Sequence, residues 1–243
     1  MIWKLDQTRA EFRCDQWHGT FDLAKPELGL KVIAPNKANL TDLLGVAFQK
    51  PNQPMSQDCF VRQGDLIAVY PPREMRKFHV QLDYRMLEST SERLLVELWI
   101  SVQTYLLDNH PVVSVQTPFD ALGLDVYNAD AAGTLVLDEQ PLPTLGNANA
   151  LLVPRMIAVA YGSFPDTDLS IAWLNHPRDQ FDTTWSHATD KQCVEARLFG
   201  HFMEKGVIRR ARMRCLISSQ PLNQSHLQEV YDAFITSPLP LTA

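Results

Sequence analysis

The strongest constraint on the fold is the run from Lys77 to Thr104, in which apolar and polar side chains alternate over two stretches separated by a short polar break. Such alternation is typical of a strand with one face in a core and the other face in solvent. The break, Ser89 to Ser91, therefore predicts the turn of a β-hairpin. Because a slip of one residue moves every apolar side chain to the wrong face, the two apolar rows must share one face.

The polar face of this hairpin carries more functional groups than solvation alone requires. The register predicts three cross-strand pairs on it: Asp83 with Glu97, Gln81 with Trp99, and His79 with Ser101. Two opposed carboxylates cannot both ionise at low cost, so their pKa values move apart and acid and base roles can be divided between them. The alternative is that a bulge offsets the pair, or that Arg85 and Lys77 neutralise an ordinary solvated face.

The same face supplies a candidate site. Glu97 is the candidate base, and Asp83 or His79 is the candidate acid, for a proton transfer. Sugar sites combine planar polar groups, which bind hydroxyls, with an aromatic ring that covers the apolar sugar face. The candidate substrate-binding residues of this kind are Arg85, Trp99, Gln81 and Gln103. For the tryptophan, the alternative is a place in the core or on the covered surface of the sheet.

A second alternating run extends from Val194 to Ser218. A two-residue turn at Lys205-Gly206 predicts that its two halves pair as another hairpin, with the glycine supplying a positive φ. Arginine then recurs at every second position of the polar face, and the candidate anion-binding residues are Arg210, Arg212 and Arg214. Guanidinium groups bind carboxylate, sulfate or phosphate through two parallel hydrogen bonds. The alternative is a solvated outer face paired with acidic neighbours.

The remaining pattern predicts an all-β protein. Short apolar stretches separated by proline- and asparagine-rich segments favour a large antiparallel β-sandwich over alternating βαβ units. One helix is expected near the end of the chain, where Leu227, Val230, Tyr231 and Phe234 follow a helical stripe after a capping residue at Asn223 or Ser225. A chain of 243 residues can form one β domain of this kind, so we expect residues 1–243 to be a single sandwich.

Composition narrows the classes of molecule that the chain is expected to bind. The net charge of −6 and a pI near 5.6 argue against nucleic acid, which needs a broad basic field. No apolar stretch reaches membrane-spanning length, so we expect no membrane partner and a cytoplasmic location. The chain has no Cys-x-x-Cys pair, P-loop, Gly-x-Gly-x-x-Gly or Gly-x-Ser-x-Gly motif. It therefore predicts neither a metal nor a nucleotide cofactor.

Two segments carry a resemblance to a known superfamily: FVR followed by GDLIAVY within residues 60–70, and EKGVIRR at residues 204–210. They resemble uncharacterised bacterial proteins similar to the galactose mutarotase-like supersandwich. The resemblance implies a concave sheet face that holds a saccharide. In mutarotases a histidine acid and a glutamate base open and close a hexose ring, which implies an aldose 1-epimerase-like isomerase if this chain is an enzyme. The Asn-His-x-x-Phe-Asn-Leu motif around the acid histidine is absent from the sequence.

Two hypotheses of different classes follow. The first is a carbohydrate-binding protein, non-catalytic or weakly catalytic at a sugar anomeric centre, with a saccharide as its partner. The second is a structural or interaction protein, in which the arginine row, Phe199 and an exposed strand edge meet a partner chain. The sequence leaves the oligomeric state open. Convergence of the polar groups into one concavity favours the first hypothesis, and a flat apolar face favours the second.

Overall fold

The computed structural model describes residues 2–48, 58–73, 76–119, 123–139, 157–164, 167–188 and 191–238. In chain order, the strands of the first part are β1 Trp3–Asp6, β2 Arg9–Cys14, β3 Trp17–Asp22, β4 Leu30–Ile33, β5 Asn39–Leu43, β6 Gly45–Ala47, β7 Asp58–Arg62, β8 Asp65–Tyr70 and β9 Phe78–Ser89. They continue as β10 Arg93–Thr104, β11 Val112–Phe119, β12 Gly123–Ala129, β13 Leu135–Leu137, β14 Val159–Phe164, β15 Leu169–Asn175, β16 Gln180–Ala188, β17 Lys191–Phe199 and β18 Ile208–Ser218. A 3-10 turn spans Pro26–Leu28, and the helix α1 spans Gln224–Ile235.

Within the described residues, the strands form three antiparallel sheets. The largest has nine strands in the order β13-β12-β14-β15-β18-β10-β9-β8-β7. A second sheet has the order β1-β2-β3-β4-β5, and a third has the order β16-β17-β11-β6. One apolar cluster draws buried side chains from all three sheets, among them Phe12, Val115 and Leu98. The nine-stranded sheet therefore packs its inner face against the two smaller sheets, as in a sandwich.

The helix covers half of the outer face of the nine-stranded sheet. Leu227, Tyr231 and Phe234 are buried and form a second apolar cluster with side chains of β12, β14, β15 and β18. The helix begins where the Asn223 side chain accepts a hydrogen bond from the backbone N–H of His226 at 2.9 Å. The other half of this face, formed by β7 to β10 and the start of β18, holds a polar pocket.

The prediction of an all-β antiparallel sandwich with one C-terminal helix is confirmed. Strands β1 to β3 were not predicted, although Ala10 and Phe12 alternate with charged residues and are buried in β2. Among the described residues, no helix has the length and the apolar character needed to cross a bilayer.

The first hairpin forms from β9 and β10, but its predicted register was wrong by two residues. The observed pairs on the polar face are Arg85 with Glu97, Asp83 with Trp99, Gln81 with Ser101, and His79 with Gln103. The turn lies later than predicted, because the Thr90 hydroxyl accepts a hydrogen bond from the N–H of Arg93 at 3.0 Å. A bulge in β9, opposite Leu95 and Val96, then shifts the register back by one residue. The net shift is even, so the apolar rows still share one face.

The second predicted hairpin does not exist. Strand β17 pairs with β11 and β16, whereas β18 pairs with β10 and β15 in the nine-stranded sheet. Phe199 and Gly200 both have positive φ, 72° and 58°, and end β17, after which the chain passes to the other sheet. Both apolar rows face the core from opposite sides. Alternation indicates that a strand is half-buried. It does not indicate whether two such strands pair in one sheet or face each other across the core.

Candidate functional site

The candidate site is a pocket of about 600 Å³ on the exposed half of the nine-stranded sheet, which we call the Asp83 pocket. Strands β8, β9, β10 and β18 form its floor, and the β7–β8 turn borders it. It is lined by Arg62, Gln63, Asp65, Val69, His79, Val80, Gln81, Asp83, Arg85, Trp99, Ser101, Val102, Gln103, Ile208 and Arg210. Its size lies in the range of small-molecule sites. Ten of the fifteen lining residues are polar or charged, and the other five are four aliphatic residues and Trp99.

Asp83 is an acidic side chain with unmet hydrogen-bonding capacity in this pocket. Its Oδ1 atom is buried and has no hydrogen-bond partner among the described residues. Burial, and secondarily the negative charge of Asp65, raise the pKa of Asp83 to about 6. An acceptor that is buried without a partner is costly, so a donor that comes within hydrogen-bonding distance of this oxygen would bring a net gain.

Asp65 and Arg85 form an ion pair beside Asp83, with 3.0 Å between Arg85 Nε and Asp65 Oδ2. Burial raises the pKa of Asp65 despite the nearby guanidinium group. Sequence reasoning missed Asp65 and Arg62, which pair directly across the β7–β8 turn. The sequence did carry a signal of this turn, because glycine is favoured in two-residue hairpin turns and Gly64 follows Gln63 between the two strands. In the structure both turn residues have the positive φ that such a turn requires.

Glu97 lies beside the pocket on the same face of β10 and is not in the pocket lining. Its side chain is 3 % exposed and is held by two short hydrogen bonds. Trp99 Nε1 donates to Oε1 at 2.6 Å, and Arg214 Nε donates to Oε2 at 2.6 Å. Arg85 contributes a second positive group at 4.0 Å. A carboxylate that is buried and bonded in this way neutralises its surroundings, and it is not placed to receive a proton from a ligand in the pocket.

Trp99 lines the pocket but is almost fully buried. It is 5 % exposed, its indole N–H is engaged by Glu97, and the Arg212 guanidinium lies 5.8 Å from its ring centre. It faces Asp83 across β9 and β10. Because so little of the ring is open, Trp99 cannot offer the wide aromatic face that the sequence analysis expected of it.

Three further predicted residues do converge in the pocket: His79, Gln81 and Gln103. Gln103 pairs with His79 across the strands, and Gln81 pairs with Ser101. Burial, and secondarily the charge of Arg76, lower the pKa of His79 below its usual 6.5. The imidazole is therefore mostly neutral at pH 7, when it carries one donor and one acceptor.

The three arginines of the predicted ladder separate. Arg210 lines the pocket, whereas Arg212 and Arg214 are buried beneath the end of α1. Arg212 donates to the Ser237 carbonyl and hydroxyl oxygens, both at 2.8 Å, and the guanidinium of Arg214 lies 4.8 Å from the Phe234 ring centre. Such cations near the last turn also complement the negative end of the helix dipole. The structure thus leaves Arg210 as the member of the ladder that faces the pocket.

No family model and no curated protein matches the chain. Among solved structures, it is similar to a TPR-domain containing protein from Parabacteroides distasonis ATCC 8503, with a TM-score of 0.56 and 10 % identity over 97 % of this chain. It is also similar to a mutant of the heparan sulfate lyase HepC from Pedobacter heparinus, with a TM-score of 0.50 and 10 % identity over 92 % of this chain. The chain spans 50 % of the first protein and 37 % of the second. At this identity the likeness concerns the fold, which the chain shares with part of each larger protein.

Proposed function

We propose that the chain is a carbohydrate-binding protein whose saccharide ligand occupies the Asp83 pocket. The observation that carries the proposal is the Asp83 carboxylate in the pocket lining, whose buried Oδ1 atom has no hydrogen-bond partner among the described residues. Around it lie the amides of Gln81 and Gln103 and the hydroxyl of Ser101. Paired acceptors and donors of this kind suit the vicinal hydroxyl groups of a sugar, each of which both donates and accepts.

The charges of the lining extend the ligand class to acidic sugars. Arg62 and Arg210 lie on the β7 side and the β18 side of the pocket, with the carboxylate of Asp83 between them. A guanidinium group can hold a uronate or sulfate by two hydrogen bonds, while Asp83 accepts from a hydroxyl of the same ligand. Neutral and acidic saccharides are therefore both tested.

Binding is favoured over strong catalysis. Proton transfer at an anomeric centre needs an acid and a base within hydrogen-bond reach of the ligand. Asp83, with its pKa near 6, is a suitable proton donor or acceptor, and His79 lines the same pocket. Glu97, the predicted base, is bonded to Trp99 and Arg214 instead. The resemblance to the mutarotase-like supersandwich stays a prediction.

The alternative of an assembly surface loses three of its four predicted side chains. Phe199 is 5 % exposed, and both Arg212 and Arg214 are buried. These side chains cannot meet a partner chain while they are covered by the protein's own core and by α1. We therefore do not propose this second class of function.

Calorimetric titration of the purified protein with neutral and acidic mono- and oligosaccharides tests the proposal. Asp83→Asn keeps the shape of the side chain and removes the charged acceptor. A hydrogen bond to a charged group is worth about 1.5–3 kcal/mol, so we expect affinity to fall roughly 10- to 100-fold. The matched control is Asp125→Asn, an exposed aspartate on β12 of the same sheet. Absence of binding to the wild-type protein at millimolar saccharide, or equal losses in the two variants, would refute the proposal.

A further inference from the structure

A second aromatic residue, Tyr105, lies at the rim of the Asp83 pocket, where sequence reasoning assigned it no role. It follows directly after β10, and 50 % of its surface is exposed. Its ring contacts His79 edge to face, with 5.4 Å between the ring centres, and its hydroxyl lies 3.5 Å from Gln103 Oε1. Tyr105 is thus anchored beside two pocket-lining residues while much of its ring stays open.

The polar row of β10 connects this ring to the pocket floor. Trp99, Ser101 and Gln103 point to the same face, since they alternate along one strand, and Asp83 lies beside Trp99. The Tyr105 ring contacts His79, which lies four positions before Asp83 on β9, and this corresponds to about 13 Å at about 3.3 Å per residue. This length exceeds the width of a pyranose ring, so one sugar unit cannot contact both Asp83 and the Tyr105 ring.

An apolar side chain on the neighbouring strand borders the same stretch. Ile208 pairs with Gln103, lines the pocket and is 53 % exposed. The floor therefore changes along β10 from hydrogen-bonding groups near Asp83 to exposed apolar surface near Tyr105. The two faces of a pyranose ring are largely C–H, and they gain from contact with an aromatic ring, whereas its rim of hydroxyls needs polar partners.

We infer that the ligand is an oligosaccharide that lies along β10, with one terminal unit at Asp83 and a unit several positions further along stacked on Tyr105. The inference rests on the proposed function, because it extends the same site. It transfers the aromatic role that the sequence analysis gave to Trp99 to a residue whose ring is accessible. The contact with Tyr105 then makes the length of the saccharide a determinant of specificity. This determinant is distinct from the recognition of a single sugar unit at Asp83.

Two chain-length series test the inference: glucose to cellohexaose, and galacturonic acid to hexagalacturonate, each titrated by calorimetry. For the series that binds, we expect affinity to rise about tenfold between one unit and four units in the wild-type protein. Tyr105→Ala should remove this rise and leave the affinity for one unit unchanged. The reason is that the loss of one aromatic contact of about 1.4 kcal/mol lowers affinity about tenfold. Tyr105→Trp should restore it. The matched control is Leu107→Ala in the same loop, which is 80 % exposed and should retain the full rise.

The outcomes separate this inference from the function on which it rests. Equal affinity for one unit and for four units, or an equal loss at every length in Tyr105→Ala, overturns the inference and leaves the saccharide site in place. Absence of binding at all lengths in both series overturns the proposed function and the inference with it. Because Tyr105 is half exposed and lies outside the strands, its substitution should leave the fold intact, which the thermal unfolding midpoint checks.

Discussion

Replacement of Glu97 by glutamine removes one negative charge from the buried region between the Asp83 pocket and α1. The carboxylate accepts from Arg214 and Trp99 at 2.6 Å each, and Arg85 lies at 4.0 Å. Arg214 and Arg212 are 6 % and 3 % exposed, so water cannot replace the lost charge. Since glutamine still offers one acceptor oxygen, we expect the low end of the cost of breaking a buried ion pair, about 3 kcal/mol of the free energy of unfolding.

Urea denaturation and thermal unfolding measure this loss. For a chain of this size a loss of 1 kcal/mol lowers the melting temperature by roughly 2–4 °C, so Glu97→Gln should lower it by roughly 6–12 °C. Glu229→Gln, on the exposed side of α1, is the control and should change stability by less than about 0.5 kcal/mol. The double variant Glu97→Leu/Arg214→Met should be no less stable than Glu97→Gln, because it buries no unpaired charge at this pair. A loss below about 1 kcal/mol in Glu97→Gln, or additive losses in the double variant, would refute the assigned role.

The remaining predictions concern pH and the helix. In the folded protein the pKa of Asp83 is about 6, above its usual 3.8. Between about pH 4 and pH 6 the folded state therefore holds a proton that the unfolded chain releases. The free energy of unfolding then falls as pH rises through this range. Asp83→Asn should lack this contribution and exceed wild-type stability above pH 6, with similar stability near pH 4, in urea titrations; parallel pH profiles would contradict the shift. Asn223→Ala removes the N-cap of α1 and should lower the free energy of unfolding by about 1 kcal/mol, while Asn223→Ser should lose much less; equal losses would argue against the capping bond.

Local pattern was a good guide wherever a property depends on neighbours along the chain. Alternation predicted the hairpin of β9 and β10 and the face that each side chain occupies. The stripe of Leu227, Tyr231 and Phe234 predicted α1, and Asn223 was among its predicted caps. These predictions hold because the strand and helix periods follow from backbone geometry, which tertiary contacts change little.

The pairing of residues across neighbouring strands was harder to predict from the sequence. The predicted opposition of Asp83 and Glu97 depended on the position of one turn and on the absence of a bulge. The hydrogen bonds of Thr90 moved the turn, and one extra residue in β9 changed the register again. Either event costs little in local energy, so the sequence pattern carries almost no signal of it.

The candidate site shows the same division. Sequence alone identified the polar row of β9 and β10 as the surface to examine, and His79, Gln81, Asp83 and Gln103 do line one pocket. Tertiary structure decided what each group can do, because α1 covers one half of the outer face and leaves the other half open. Glu97 and Arg214 lie under that cover and neutralise each other, whereas Asp83 lies outside it with an unpartnered oxygen. The chemistry of a carboxylate depends on its burial and its partners, and those come from residues far apart in the chain, beyond the reach of any local period.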